Sequence, residues 1–438
     1  MTIGNDLRSA VKGRILTPGD EGFDAARRPW NLAVDQRVAA VVDAADADDV
    51  AAVVRRARLA GLAVLAQPSG HGATGDVDGA ILLRTGGLGG VEIRPEQRLA
   101  RVGAGVKWGE VLRAAGPHGL TGLAGSSPAV SVTGYTLGGG LSWFSRAYGF
   151  AADSVRAFDV VDADGARRRV TAESDPELFW ALRGGSGEFA AVTALEFALH
   201  PAPNLYGGRM LWPAAAAPAV FEVYREVTAR APDELSVWYD LLQFPGAPAM
   251  VAVDATYLGQ TWEGADLLRA FEKIDGRISD SRGPLPVADL GTITAEPTDP
   301  GPGMSRAELL TELTAEVAQA LLAEPVDPLL SVQLRHLGGA LTRPAADAGA
   351  CGALSEPYLL YTFGIPATPE KAAAVRERQR ELAATLTPYT SGRKPYTFLA
   401  PGERAASAFT PDALGRLRAL KHERDPRGVF RTNFPVLD

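Results

Sequence analysis

Cysteine is nearly missing from this chain: Cys351 is the single one among 438 residues. No intramolecular disulfide can form, and a cysteine-based zinc site is excluded. Histidine is scarce as well. The five histidines, at 71, 118, 200, 336 and 422, show no spacing that would set two on one helical face as metal ligands. No apolar run reaches the roughly 18 residues that a membrane span needs. Positive charge is in deficit, 44 Lys and Arg against 52 Asp and Glu, and a net charge of −8 argues against nucleic acid as a partner. The basic clusters Arg55-Arg56-Ala57-Arg58 and Arg167-Arg168-Arg169 have acidic neighbours and read as solvated surface. The first residues, Met1-Thr2-Ile3-Gly4-Asn5-Asp6, hold no basic stretch followed by an apolar one, so no secretory signal is visible. The expectation is a metal-free, cytoplasmic protein that does not touch membranes.

What the chain has is an ordinary globular composition, 46 % apolar and 22 % charged, with length for two or three domains. It also has 48 glycines, seven of them in two turns. The first is Gln67-Pro68-Ser69-Gly70-His71-Gly72-Ala73-Thr74-Gly75, and the second runs from Ser127-Pro128 through Val132-Thr133-Gly134-Tyr135-Thr136-Leu137-Gly138-Gly139-Gly140. Glycines let a backbone approach a ligand and aim N–H groups at its phosphates. A histidine in such a turn is either a structural plug or the group that meets the ligand.

The better-known phosphate motifs fail. Gly185-Ser186-Gly187-Glu188-Phe189-Ala190 nearly matches the dinucleotide fingerprint, but it follows a helical pattern and precedes a strand, the reverse of the required order. Neither a P-loop nor a nucleophile elbow occurs.

The elements are expected as follows. A helix spans 46–60, with acidic residues in its first turn and Gly61 as its stop. Strands occupy 63–66, 81–83 and 99–102, and 106–115 is helical. A hairpin joins 155–161 to 168–171 through Asp162-Ala163-Asp164-Gly165. Asp175-Pro176-Glu177 opens another helix. From about 206, helices near 214–231, 305–323 and 369–386 alternate with strands at 235–239, 250–253 and 358–363. Residues 280–304 read as a long surface loop, and 412–421 as a last helix. The fold class is α+β, a two-subdomain cofactor domain over 1–205, a helix-covered and mainly antiparallel sheet domain over 206–395, and a returning segment over 396–438.

The ordered pieces resemble the FAD-binding domain of the berberine bridge enzyme-like oxidases, in the vanillyl-alcohol oxidase (p-cresol methylhydroxylase-type, PCMH) superfamily. They are Arg28-Pro29-Trp30-Asn31, Asp48-Asp49-Val50, the His71 turn, Gly103-Ala104-Gly105-Val106 and the Val132-to-Gly140 run. After these come Tyr148-Gly149-Phe150-Ala151-Ala152-Asp153, Leu178-Phe179-Trp180-Ala181-Leu182-Arg183-Gly184-Gly185 and Asp425-Pro426 through Phe430-Arg431-Thr432-Asn433. The resemblance implies FAD between two subdomains, with His71 bonded to its 8α-methyl. It also implies contacts from Pro68, Ser69, Gly70, Gly72, Ala73, Thr74, Gly75, Ser127, Val132, Thr133, Gly134, Tyr135, Gly138, Gly139, Leu141, Val192 and Asn433.

Some positions depart from the resemblance. Relatives often carry a second, cysteine tether where this chain has Ser127-Pro128, and Cys351 belongs to the second domain. A mono-covalent flavin is therefore expected. Relatives show Tyr-x-Asn-Phe where this chain has Pro395-Tyr396-Thr397-Phe398, so tyrosine is displaced by one position. Tyr396 and His336 stand as the candidate catalytic residues. The chemistry implied is an FAD-dependent oxidase of specialised metabolism, taking hydride from a C–H beside an alcohol or amine and passing electrons to dioxygen. A dehydrogenase with another acceptor and a non-redox flavoprotein are the alternatives.

Overall fold

The computed structural model describes residues 3–437. Helix Ala47–Ala60 forms where its sequence dictates: the Asp46 side chain accepts from the N–H groups of Asp48 and Asp49, and Gly61 ends it with a left-handed φ of 66°. Its apolar stripe of Val50, Val53, Val54 and Ala57 packs on a four-stranded sheet. There Ala40–Asp43, Ile81–Arg84 and Val64–Ala66 run parallel, and Arg14–Leu16 pairs antiparallel at the edge.

A five-stranded antiparallel sheet lies beside it, in the order Val91–Arg94, Leu99–Gly103, Ala191–Ala198, Val155–Val161, Arg167–Val170. The last two are joined by the expected turn, in which the Asp162 carboxylate accepts from the Asp164 and Ala166 N–H groups. Helices Trp108–Ala115, Val132–Leu137 and Pro176–Leu182 share its core with Phe158, Leu195 and Phe197.

An eight-stranded sheet follows in sequence. Its main path is Ser279–Asp280, Leu205–Pro213, Met250–Leu258, Leu235–Leu242, Ser331–His336, Tyr358–Gly364, Met304–Leu310, and Gly283–Pro284 also pairs with Leu205–Pro213. Helices Ala217–Thr228, Ala315–Leu322 and Pro369–Leu386 cover one face through Phe221, Tyr224, Val317 and Val375, packed on Tyr239, Val253, Leu334 and Leu360. Strand alternation sends Trp238, Asp240, Asp254, Gln333 and Arg335 to the other face. That face meets the first two sheets' loops, where Trp238 stacks on Trp143 at 3.6 Å between ring centres. The α+β class and the helix-covered antiparallel sheet are those expected.

The chain then returns. Helix Pro411–Arg424 buries Leu417 and Leu420 in the first core, and Arg431 N–H donates to the Val64 carbonyl. Asp425 is the pivot of this return, because its buried carboxylate accepts from the N–H groups of Val429 and Phe430 and from the Lys421 ammonium.

Two expectations fail. Residues 305–310, read as the start of a helix, lie in strand Met304–Leu310, and the helix is only Ala315–Leu322. The run 280–304 is not a free surface loop. Val287, Leu290 and Ile293 are buried in the core of the five-stranded sheet, so the segment straps the eight-stranded sheet to it.

Candidate active site

Strand Val64–Ala66 runs straight into the His71 turn. Gly70 takes φ of 86°, and a Cβ there would lie 2.7 Å from Pro29, so glycine is required. The Ser69 hydroxyl bonds His71 Nδ1 at 2.8 Å, and the Trp30 ring stacks on the imidazole at 4.2 Å. Nε2 is buried with no partner. Burial, helped by the Lys107 charge, lowers the His71 pKa to about 4. The imidazole is therefore neutral at pH 7, with Nδ1 engaged by Ser69 and Nε2 left free. The rest of the turn is Pro68, then Gly72 and Thr74 near the surface, Ala73 buried, and Gly75 with φ of 85°.

The second glycine-rich segment lies alongside. Lys107 and Ser131 form an antiparallel bridge, and the Ser131 side chain caps helix Val132–Leu137 by accepting from Gly134 N–H. Ser127 is buried and accepts from Ala129 N–H, while Pro128 packs near Gly109 and Gly291. A Cβ on Gly138 would lie 2.7 Å from the Thr397 methyl, so this glycine admits the returning segment, and Gly139 has φ of 101°. Leu141 and Val192 are buried close by in their cores.

Several polar atoms of these segments are buried without a protein partner: His71 Nε2, Thr133 Oγ1, Tyr135 Oη, Thr397 Oγ1 and Asn433 Oδ1. Stranding a buried polar atom costs about 1–3 kcal/mol. Five of them on facing segments fit a large polar ligand that supplies the missing partners, and at Gly72 and Gly134 the space beyond the backbone is open.

The opposing wall is the bare face of the eight-stranded sheet. Asp240 Oδ1 accepts from the Ser331 hydroxyl at 2.7 Å, and Oδ2 accepts from Gln333 Nε2 at 3.2 Å. Gln333 Oε1 in turn accepts from Arg335 Nε at 2.6 Å. Arg209 grips Asp254 with two bonds of 2.6 and 2.7 Å, and its Nη2 lies 4.0 Å from Asp240. Burial, then the like charge of Asp254, raises the Asp240 pKa to about 7. A carboxyl poised there can exchange a proton at neutral pH. The strap closes one side: Gly301 exchanges backbone bonds with Trp30 and Leu32, and the Asn31 amide bonds both N–H and C=O of Gly303 at 3.0 Å.

The two catalytic candidates from sequence have their proton-handling atoms engaged by other protein groups. The Tyr396 hydroxyl is buried and donates to the Phe434 carbonyl at 3.0 Å, with its ring packed against Phe409 and Phe434. Residues 396–398 form a tight turn and not a strand, so the displaced tyrosine faces the C-terminal segment. His336 lies on the helix-covered face, its Nε2 3.0 Å from Arg146 Nη1 and its pKa lowered by burial to about 2. An imidazole nitrogen that accepts from a guanidinium has no lone pair left for a substrate proton. Cys351, remote in sequence, packs against Gly184 and Gly139, its thiol pushed well above the usual range by burial.

Sequence reading missed Arg209, Asp240, Asp254, Gln333 and Arg335. The signal was there, as polar residues on one alternating face of otherwise apolar strands: Ser236 and Asp240, and Gln333 and Arg335.

Comparison with known proteins bears on the fold and on the cofactor. Residues 38–171 match the family model described as FAD binding domain. The (R)-6-hydroxynicotine oxidase of Paenarthrobacter nicotinovorans is 27 % identical over 98 % of this chain and 97 % of its own length. Among solved structures, BBE-like 1 of Physcomitrella patens superposes with a TM-score of 0.86 at 19 % identity, covering 100 % of this chain and 99 % of that one. Berberine bridge enzyme from Eschscholzia californica gives 0.85 at 17 %, covering 99 % and 98 %.

Proposed function

We propose that the chain is a PCMH-type FAD-binding, berberine bridge enzyme-like oxidoreductase, and within that family an oxidase of a small specialised metabolite. When bound, FAD supplies a hydride acceptor at N5 for a C–H beside an alcohol or amine, and returns the electrons to dioxygen as hydrogen peroxide. The protein contributes binding, orientation and proton handling.

Holding falls to the His71 turn and the 127–141 segment. His71 Nε2 is the free nitrogen, and its low pKa keeps it nucleophilic for a single covalent bond to the 8α-methyl. Ser127 carries no thiol, so no second bond forms from its position. Backbone N–H groups around Ser69 to Gly75 and Val132 to Gly139 suit the pyrophosphate, with Tyr135, Leu141, Val192 and Asn433 as walls.

Asp240 takes the O–H or N–H proton of the substrate. It is buried, it sits on the sheet face opposite the flavin-holding segments, and its two bonds, from Ser331 and Gln333, fix its orientation. This buried carboxyl, held by Ser331 and Gln333 on the bare face of the sheet, is the observation that carries the reading. The strap and the Trp143–Trp238 stack exclude water from the space between.

The test is anaerobic mixing of the purified yellow protein with candidate alcohols and amines, followed by admission of air. Bleaching, reoxidation within seconds and one peroxide per turnover support the oxidase. Reoxidation over many minutes identifies a dehydrogenase. Tight binding without bleaching by any substrate identifies a non-redox flavoprotein.

A further inference from the structure

Arg335 is a buried cation with no ion-pair partner among the described residues. It is 8 % exposed, and its guanidinium carbon lies 4.0 Å from the centre of the Trp238 ring, with the Tyr361 and Phe398 rings at 5.2 and 5.3 Å. Its one side-chain bond, from Nε to Gln333, uses the side of the fork and leaves both Nη groups without a protein acceptor. No neighbouring carboxylate forms an ion pair with it: Asp254 is gripped by Arg209, Asp240 is held by Ser331 and Gln333, and Asp240 and the exposed Glu296 act on Arg335 only through space. Arginine does not lose its proton in proteins, so the charge stays. A buried charge is stable only when something pairs with it.

Its position is on the substrate side of the site. Arg335 shares the bare sheet face with Asp240, lies near enough to Tyr135 of the second glycine-rich segment to feel its charge, and lines a small cavity with Leu141, Ser142, Arg146, Trp238 and His336. Gln333 ties it to Asp240, so a group held by Arg335 is set at a fixed distance from the proton acceptor.

We propose that Arg335 is the anchor for a carboxylate on the substrate. Two parallel N–H donors, Nη1 and Nη2, match two carboxylate oxygens, and the Trp238 face under the guanidinium keeps the fork planar and dry. The substrate class is then an organic acid whose oxidisable alcohol or amine carbon lies within reach of Asp240. This inference rests on the oxidase reading for the nature of the substrate, but the anion preference needs no turnover.

The test uses the flavin-loaded protein and the pair benzoate and benzamide, equal in shape and different in charge. Binding is read by calorimetry and by the change in the visible spectrum of the oxidised flavin. Benzoate binds at least tenfold more tightly than benzamide in the unaltered protein. Arg335→Met removes that preference, and Arg335→Lys retains part of it, since an ammonium offers no planar fork. Equal affinity for the two probes in the unaltered protein overturns the proposal without any variant being made. So does a benzoate preference that survives in Arg335→Met. Failure of the oxidase reading shows differently, as a flavin that no substrate bleaches while the benzoate preference persists.

Discussion

Arg146 donates to Nε2 of His336 at 3.0 Å across the junction of the two domains. The same guanidinium serves the carbonyls of Leu235 at 2.8 Å, Ala231 at 3.1 Å and Pro232 at 3.2 Å, and that of Leu337. One cation thus satisfies five acceptors contributed by the sheet domain, from a side chain in helix Ser145–Tyr148 of the cofactor domain. Arg146→Met removes this donor from all five, leaving Pro232 only its bond from the Leu235 N–H, and is expected to destabilise the protein by about 3–5 kcal/mol. His336→Gln keeps an acceptor for Arg146 and costs about 1 kcal/mol, with kcat within a factor of about two, well short of the 10²-fold or larger loss a proton-transfer group would give. Urea unfolding and steady-state rates on both variants check this. A hundredfold fall in turnover for His336→Gln would return His336 to the chemistry.

His336 also gives the protein a pH signature. Its pKa is about 2 when folded and near the ordinary 6.5 when unfolded. Between those values the unfolded chain binds a proton that the folded one refuses, so this contribution to stability is full above pH 6.5 and is lost as pH falls. The loss is about 1.4 kcal/mol for each pH unit below that point. Glutamine does not titrate. The stability advantage of the parent over His336→Gln therefore shrinks from pH 7 to pH 5 and reverses, which paired urea melts at several pH values would reveal. A constant gap would contradict the buried, neutral imidazole.

How much of this was legible in the sequence depends on the range of the interactions. Asp46 and Gly61 bound a helix by local chemistry, and the helix lies where those residues put it. The Asp425 motif is local too, since its acceptor atoms reach only to Lys421, Val429 and Phe430. Ser305-Arg306-Ala307-Glu308-Leu309-Leu310 carries helix-favouring residues. It becomes an edge strand because Tyr358–Gly364 offers it a full ladder of partners. The polar wall of the site is legible only with register in hand. Asp240 opposite Gln333, and Trp238 opposite Arg335 and Asp254, are pairings between strands far apart in sequence.

Asp240 should set the pH dependence of substrate oxidation. As the proton acceptor it must be ionised, so the rate of flavin reduction rises with pH through about 7 and levels off above. Asp240→Asn should slow reduction by 10²-fold or more and flatten that limb. Arg209 favours the ionised form of Asp240, so Arg209→Gln should move the limb to higher pH with flavin still bound. Stopped-flow reduction across pH 5 to 9 reads all three proteins, roughly the range in which a carboxyl near 7 changes state. An unchanged limb in Asp240→Asn would assign the proton to another group.

Gly138 is where the returning segment meets the second glycine-rich run. Its φ of −92° suits any residue, so the demand is for space alone. A Cβ there would lie 2.7 Å from the Thr397 methyl and 3.2 Å from the Tyr396 ring. Gly138→Ala should push residues 396–398 away, destabilise the fold by about 1–3 kcal/mol, and lower the flavin-to-protein ratio after purification. Normal flavin content with normal stability would mean that the contact relaxes freely.

The single tether is the most direct prediction. His71 is neutral, stacked on Trp30, with Nδ1 held by Ser69 and Nε2 unpartnered, and each of these favours attack through Nε2. Acid-precipitated parent protein should keep its yellow colour, and a tryptic peptide containing His71 should carry the mass of the flavin. His71→Ala should bind FAD reversibly and lose it on precipitation. Its flavin should also have a lower potential, since the electron-withdrawing imidazole is gone from the ring. Ser69→Ala separates holding from bonding: the nucleophile remains, but the hydrogen bond that fixes the ring is lost. It should load FAD and form the covalent bond more slowly. If Ser69→Ala forms the bond at the parent rate, the Ser69 contact is packing only. If His71→Ala retains covalent flavin, the tether lies elsewhere.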